Sequence, residues 1–159
     1  MRSFILFLLL GCIALAQPAA VPEADQAAAR ALLKELYAAY ESRQVDKVMA
    51  LIAPAVEASA QSDAQGRAQA IRDAFRAFHE DLLSHPDFRL EPFNDHFLGF
   101  EPQKDGAFRV ISSVPVILSD SLVFKESDGT PTAPIRLRLG AFTMQRDKGG
   151  TLRITGMDL

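Results

Sequence analysis

The spacing of apolar residues changes near residue 87, and this change restricts the folds that the chain can adopt. Up to Ser84, large apolar residues recur every three or four positions, which is the period of an α-helix. From Phe88 onwards they alternate with polar residues at a period of two, which is typical of half-buried strands. Helices followed by strands predict an α+β domain, with three N-terminal helices packed on an antiparallel sheet.

Three helices are predicted in the first half of the chain. The first, Glu23–Ser42, carries one apolar stripe made of Ala29, Leu32, Leu33, Leu36, Tyr37 and Tyr40. The second is short: it covers Asp46–Ile52, with the Asp46 carboxylate as its cap, and Pro54 ends it. The third spans Ala64–Ser84, where apolar residues again recur at helical spacing.

The second half of the chain contains five predicted strands, whose order suggests a meander of hairpins. They cover Phe88–Pro92, Phe97–Glu101, Ala107–Leu118, Ile135–Gln145 and Thr151–Asp158. The turn Asp147–Gly150 has the residue types that adopt positive φ angles and therefore joins the last two strands. Pro115 cannot donate a hydrogen bond to a neighbouring strand, so it predicts a sheet edge or a bulge.

The alternation of the last hairpin changes phase in both strands. The apolar positions change from odd to even after Gly140, and from even to odd near Gly156. If Arg146 lies opposite Thr151, Ala141 pairs with Gly156, so both changes fall at one level of the sheet. A bulge or kink shared by neighbouring strands would curve the sheet strongly and leave a conical cavity against the helices. The alternative is a short hairpin that buries its two faces unevenly.

The first sixteen residues, Met1–Ala16, have the pattern of an export signal. A basic residue is followed by an apolar run and by the small-residue cleavage site Ala14–Ala16. Residues 17–22 then form a flexible segment, and residues 23–159 form the domain. A second interpretation is a lipoprotein signal, in which Leu9–Cys12 is a lipobox, Cys12 is acylated and the protein is tethered to a membrane. The location is therefore periplasmic or secreted, with membrane attachment only if Cys12 is lipidated.

Composition excludes several classes of function. Cys12 is the single cysteine in the chain, so after cleavage neither disulfides nor thiolate chemistry is available to the domain. The net charge is -3, and like charges do not cluster, which argues against nucleic acid as a partner. We expect no cofactor, and a domain that is stabilised by packing alone.

The segment Leu36–Pro54 resembles the first helix, tight turn and second helix of the nuclear transport factor 2-like superfamily. Gly66–Arg72 resembles the start of that family's third helix, and Ile135–Ile154 resembles its closing hairpin. The family includes ketosteroid isomerases and polyketide cyclases, and its fold is a cone of helices and curved sheet. The resemblance implies an interior cavity for a small apolar or amphipathic ligand, and a homodimer formed through the sheet.

The resemblance does not carry the isomerase chemistry with it. That branch uses a tyrosine, a carboxylate base and a protonated carboxylic acid, which would fall here near Leu36, Ala60 and Phe142. All three residues are apolar. We therefore expect a binding or accessory domain without catalysis. Two alternatives stay open: a pocket enzyme, and a structural module for dimerisation or interaction.

Candidate functional residues are few. Asp95 and His96 precede a strand and are the candidates for an acid or base. His79 and His85 are six positions apart and would point to different sides of a helix, so we expect solvated histidines and no metal site there. Candidates for lining a ligand pocket are Tyr37, Tyr40, Phe75, Phe78, Phe142, Arg136 and Arg138. The two arginines share one face of a strand, where they would either clamp an anionic ligand or lie on a solvated outer face.

Overall fold

The computed structural model describes residues 20–86, 88–90, 93–122, 130 and 135–158. These residues form three helices followed by a four-stranded antiparallel sheet, which confirms the predicted α+β class. The elements are α1 (Glu23–Glu41), α2 (Val45–Gln61), α3 (Ala68–Ser84), β1 (Leu98–Pro102), β2 (Phe108–Leu122), β3 (Ile135–Arg146) and β4 (Leu152–Asp158). Met1–Ala16, with Cys12, lies outside the described residues.

The helix α1 supplies much of the core, and its buried stripe is the one that the sequence predicted. Leu33, Leu36 and Tyr40 have no exposed surface, and Ala29 and Tyr37 are buried beside them. Residues from α2, α3 and the sheet complete a single cluster, which includes Ile52, Val56, Leu82, Val110, Phe142, Met144 and Ile154. Burial of this continuous apolar surface is the main force that holds the helices on the sheet.

The second helix is longer than predicted. It continues through Pro54 to Gln61, so the expected end at Ile52 is wrong. A proline removes one hydrogen bond of a helix and does not by itself end it when packing holds the next turns in place. Here Val56 and Ala60 are buried, and α2 lies along β4. The expected cap, Asp46, instead lies inside the first turn of α2.

Two further boundaries differ from the prediction. The helix α3 begins at Ala68 and not at Ala64, because Gly66 adopts a left-handed φ of 72° and the Asp63 carboxylate accepts a hydrogen bond from the Arg67 amide, forming a turn. The expected strand Phe88–Pro92 is also wrong, since residues 88–90 are not in a strand and residues 91–92 lie outside the described part.

The sheet has the order β1-β2-β3-β4, so each strand pairs with its neighbours in sequence, as the predicted meander requires. The predicted register of the last hairpin is wrong, because Thr151 closes the turn by accepting a hydrogen bond from the Asp147 amide at 2.9 Å. This moves the pairing by one residue, and an extra residue in β4 moves it by one more, so Ala141 faces Asp158 and Gly156 faces Thr143.

Two irregularities interrupt the ladders of the sheet. In β4, Thr155 is an extra residue between two paired positions, so that strand contains a bulge. In β2, the pairing with β3 shifts between Ile111 and Val116, and the pairing with β1 ends at Ser112. Pro115 lies within this shift, which confirms the prediction of an edge or bulge there.

Arg43 lies in the turn between α1 and α2 and forms hydrogen bonds to the end of α3 and the residues that follow it. Its guanidinium donates hydrogen bonds to the carbonyl oxygens of Leu83 at 3.0 Å, His85 at 3.2 Å and Phe88 at 3.1 Å. The same guanidinium stacks over the Phe88 ring, 5.5 Å from its centroid. One residue therefore bonds to the last turn of α3 at Leu83 and to the segment that follows the helix at His85 and Phe88.

We expect Arg43→Ala to lower the free energy of unfolding by about 1–2 kcal/mol, because three carbonyl groups lose a charged donor that is partly open to water. Arg43→Lys should recover only part of the loss, since an ammonium group cannot reproduce the planar fork of donors. Urea unfolding of the three proteins measures both effects. If Arg43→Lys were as stable as wild type, the hydrogen bonds from the planar guanidinium would not be what stabilises this turn.

Candidate functional site

A buried histidine joins α1 to α3. His79 has no exposed surface, and, tyrosines aside, it is the one buried polar residue among those whose side chains the structure describes, which excludes 112–122 and 135–139. Its Nδ1 lies 2.7 Å from the carbonyl oxygen of Phe75, which can only accept, so Nδ1 carries the hydrogen. Its Nε2 lies 2.9 Å from the Tyr40 hydroxyl. That hydroxyl therefore donates to Nε2, and both ring nitrogens of a neutral imidazole are satisfied.

This arrangement corrects the expectation that His79 is a solvated helix-end residue. The polar neighbourhood His79–Asp81 suggested solvent, but the helical period places His79 on the same face as Leu82 and Leu83, which are also buried. Burial lowers the pKa of His79, because an imidazolium would lose its hydration, although the Phe75 carbonyl opposes this shift. Burial likewise raises the pKa of Tyr40 above its usual value.

The lowered pKa of His79 predicts a pH-dependent stability. Below pH 6.5 the unfolded chain binds a proton on this histidine that the folded chain does not bind, so the free energy of unfolding falls as the pH decreases from 6.5 towards the folded pKa. One histidine can change the free energy of unfolding by at most about 1.4 kcal/mol for each pH unit. Urea unfolding at pH 7.5 and pH 5.5 measures the loss, and His79→Phe should show a smaller one. An equal loss in the variant would assign the effect to other groups.

Asp95 and His96, the predicted acid and base, lie in a short 3-10 turn, Asp95–Phe97, on the surface. The Asp95 carboxylate pairs with the Lys34 ammonium on α1 at 2.9 Å, and that hydrogen bond holds the pKa of Asp95 below its usual range. His96 is exposed, and the Asn94 side chain accepts a hydrogen bond from its backbone amide. The pair therefore forms part of a surface link between α1 and the strand that follows.

Most predicted pocket residues lie in or against the core. Tyr37, Tyr40 and Phe142 are buried, and the Tyr37 ring contacts Phe93 at a centroid distance of 4.5 Å. Phe75 and Phe78 are partly buried against the same cluster. The side chains of Arg136 and Arg138 lie outside the described residues.

The three positions at which the resemblance would place isomerase groups lie in the interior. Leu36 has no exposed surface, and Ala60 and Phe142 are each exposed by 3% or less. Leu36 and Phe142 belong to the apolar core cluster.

A surface groove of about 260 Å³ lies between α2 and α3, and we call it the α2–α3 groove. Its apolar floor consists of Met49, Ala53 and Val56, and its polar rim consists of Glu57, Gln69, Arg72, Asp73 and Arg76. Each charged group of the rim has a hydrogen-bond partner within the protein. Glu57 receives two hydrogen bonds from Arg72, at 2.6 Å and 2.7 Å, and Arg76 lies 3.0 Å from the Asp46 carboxylate. The groove therefore combines an apolar floor with a rim of equal positive and negative charge.

A second groove, of about 400 Å³, lies where α2 meets the β3–β4 hairpin, next to Pro54 and the bulged Thr155. Its charged residues are also engaged. Arg153 binds the Asp147 carboxylate at 3.1 Å, and Asp147 further accepts hydrogen bonds from turn amides, which lower its pKa. The charged groups of this groove are therefore bonded within the protein, as Glu57 and Arg72 are in the first groove.

The sequence did not reveal either the Tyr40–His79 pair or the rim of the α2–α3 groove. Tyr40 and His79 are 39 positions apart, and Glu57 and Arg72 are 15 apart. Only the packing angle of the helices decides such contacts. The one available signal was the position of His79 on the apolar face of α3, and that signal could have predicted its burial.

No family model, curated protein or solved structure matches the chain. Across the residues that the structure describes, no helix is long and apolar enough to span a bilayer. Within that same part of the chain, histidine, cysteine, aspartate and glutamate residues do not assemble in groups of three that could hold a metal ion.

Proposed function

We propose that the protein is an exported, non-catalytic binding domain of the nuclear transport factor 2-like type. One observation carries this proposal: the carboxylates that line the two grooves, and Asp95, are engaged by hydrogen-bond donors within the protein. A general base must instead have a lone pair that is available to a substrate and a pKa near the working pH. Hydrogen bonds from Arg72 and Lys34 lower the pKa of Glu57 and of Asp95 away from that range. The Thr151 amide, together with Arg153, lowers the pKa of Asp147 in the same direction.

The order of elements supports the family assignment. Three helices precede an antiparallel meander, and the bulges in β2 and β4 are the devices that curve a sheet. The export signal in Met1–Ala16 supports a location outside the cytoplasm. The polar groups that an isomerase requires are replaced by Leu36, Ala60 and Phe142, which favours binding over catalysis.

The ligand that suits the α2–α3 groove is a small neutral or zwitterionic amphipathic molecule. Met49, Ala53 and Val56 offer it an apolar surface, and the rim offers both donors and acceptors. A strongly charged ligand is disfavoured, because binding it would require breaking the Glu57–Arg72 pair.

The neutral dye Nile red tests this proposal. We expect its fluorescence to increase and shift to the blue on titration, and amide NMR shifts to change around Met49, Ala53 and Arg76. Ala53→Arg should weaken binding at least tenfold, because an arginine fills the floor at an exposed helical position. Ala58→Arg is the matched control, since it places the same side chain at an exposed position of α2 outside the groove. Equal binding by wild type and Ala53→Arg would overturn the assignment.

A further inference from the structure

The floor of the α2–α3 groove contains a thioether sulfur. Met49, Ala53 and Val56 follow one another on α2 at spacings of four and three positions, so they share one face of the helix. All three line the groove. Met49 is only partly buried against the core, so water and small solutes that enter the groove reach its side chain.

Oxidation of sulfur in this domain is confined to methionine. Cys12 is the one cysteine of the chain and precedes the domain, so reversible thiol oxidation is not available within it. Of the four methionines of the chain, Met49, Met144 and Met157 lie in the domain. Met144 has no exposed surface, whereas Met49 and Met157 are partly buried. Met49 therefore combines access from solvent with a place in the groove.

We propose that Met49 is a site of reversible oxidation by hydroperoxides, and that its oxidation lowers the affinity of the α2–α3 groove for an apolar ligand. The second part rests on the proposed function of the groove. The Met49 sulfur attacks the terminal oxygen of the hydroperoxide, so that an S–O bond forms and the O–O bond breaks. The hydroxyl proton passes to the leaving oxygen, which departs as an alcohol, or as water from hydrogen peroxide. Sulfur loses two electrons and the peroxide gains them.

This step changes the chemistry of the groove floor. A thioether is apolar and adapts its shape to a ligand, whereas a sulfoxide is polar and chiral. An apolar ligand that covers the sulfoxide oxygen removes it from water without giving it a hydrogen bond, which costs free energy. One of the three side chains of the floor then opposes the ligand that it favoured before oxidation.

The rim of the groove provides a hydrogen-bond donor for the oxidised side chain. Arg76 lines the same groove as Met49, and its guanidinium lies 3.0 Å from the Asp46 carboxylate. Asp46 precedes Met49 by three positions, so the two share one side of α2. The Arg76 side chain is half exposed and has five N–H donors, more than its carboxylate partners occupy. The sulfoxide is therefore accommodated at the rim, and the oxidised protein stays folded.

Peptide mass mapping of wild type after brief treatment with hydrogen peroxide tests the modification site without any ligand. We expect the gain of one oxygen at Met49 to be about tenfold faster than at Met144, because the folded chain covers Met144 completely. In 8 M urea the two rates should become equal, since the difference comes from the fold. Equal rates in the folded protein would overturn Met49 as an oxidation site.

Nile red titration before and after peroxide treatment tests the effect on the groove. We expect the dissociation constant of wild type to rise by about fivefold or more, and methionine sulfoxide reductases to restore it. Met49→Leu keeps an apolar floor without sulfur, so peroxide should not change its own starting affinity. Met157→Leu is the matched control, and its affinity should fall on treatment as that of wild type does.

The outcomes separate this inference from the proposed function. A wild-type protein that carries the sulfoxide at Met49 and binds the dye as before would overturn the regulatory part, and so would an equal loss of affinity in Met49→Leu. Failure of the untreated protein to bind Nile red would overturn the proposed function together with its regulation. The mass comparison would still decide whether Met49 is the oxidation site.

Discussion

Replacing Leu36 with alanine should lower the free energy of unfolding by about 2–5 kcal/mol, the range measured when a large apolar side chain is removed from a packed core. Leu36 has no exposed surface and belongs to the central cluster. The size of the effect therefore distinguishes a packed interior from a hollow one.

Urea unfolding measures this difference directly, with Leu32→Ala as the control. Leu32→Ala removes the same atoms from the same helix, but Leu32 is only partly buried. The free energy of unfolding should therefore fall clearly less than for Leu36→Ala. A loss below about 1 kcal/mol for Leu36→Ala would contradict tight packing, because the removed side chain would then border an existing space.

The second large effect concerns the link between α1 and α3. We expect Tyr40→Phe to lower the free energy of unfolding by about 1–3 kcal/mol, because the buried Nε2 of His79 loses its donor. In a His79→Phe background the same substitution should cost much less, since no acceptor remains to be satisfied. The difference is the coupling energy, which a double-mutant cycle measures by urea unfolding. Equal costs in the two backgrounds would show that the hydroxyl acts through another partner.

The period of apolar residues was sufficient to predict the architecture. The stripe on α1 from Ala29 to Tyr40 is buried as expected, and the turn Asp147–Gly150 joins the last two strands. Such features depend on local geometry, because the residue spacing alone decides which side chains share one face of a helix or strand. The same reasoning explains why Pro115 could be placed at an irregular edge.

Features that depend on tertiary contacts were not predictable. Pro54 has a strong local tendency to end a helix, but burial of Val56 and Ala60 on the sheet carries α2 past it. The register of the last hairpin depended on two residues: Thr151, which closes the turn instead of pairing, and Thr155, the extra residue of the bulge in β4.

The candidate site shows the same division between local and tertiary information. Leu36, Ala60 and Phe142, which the sequence shows to be apolar, are buried in the structure. The sequence could not show that Tyr40 reaches His79, or that Arg72 reaches Glu57, since both contacts cross from one helix to another. Charged residues that appear as catalytic candidates in a linear sequence, such as Asp95, can be partners in ion pairs in the folded chain.

The protonation state of His79 tests most directly whether the interior of this domain is structural or catalytic. Long-range ¹H–¹⁵N NMR spectra of the imidazole ring, recorded from pH 7.5 down to pH 5 on folded protein, report which nitrogen carries hydrogen. We predict a neutral ring with hydrogen on Nδ1 alone at pH 7.5, and a second proton that binds only at pH values below the usual pKa of 6.5, because Phe75 and Tyr40 satisfy both nitrogens and burial lowers the pKa. A ring that titrates near pH 6.5 while the protein stays folded would show that protons reach this site freely, and would contradict a structural role for the pair.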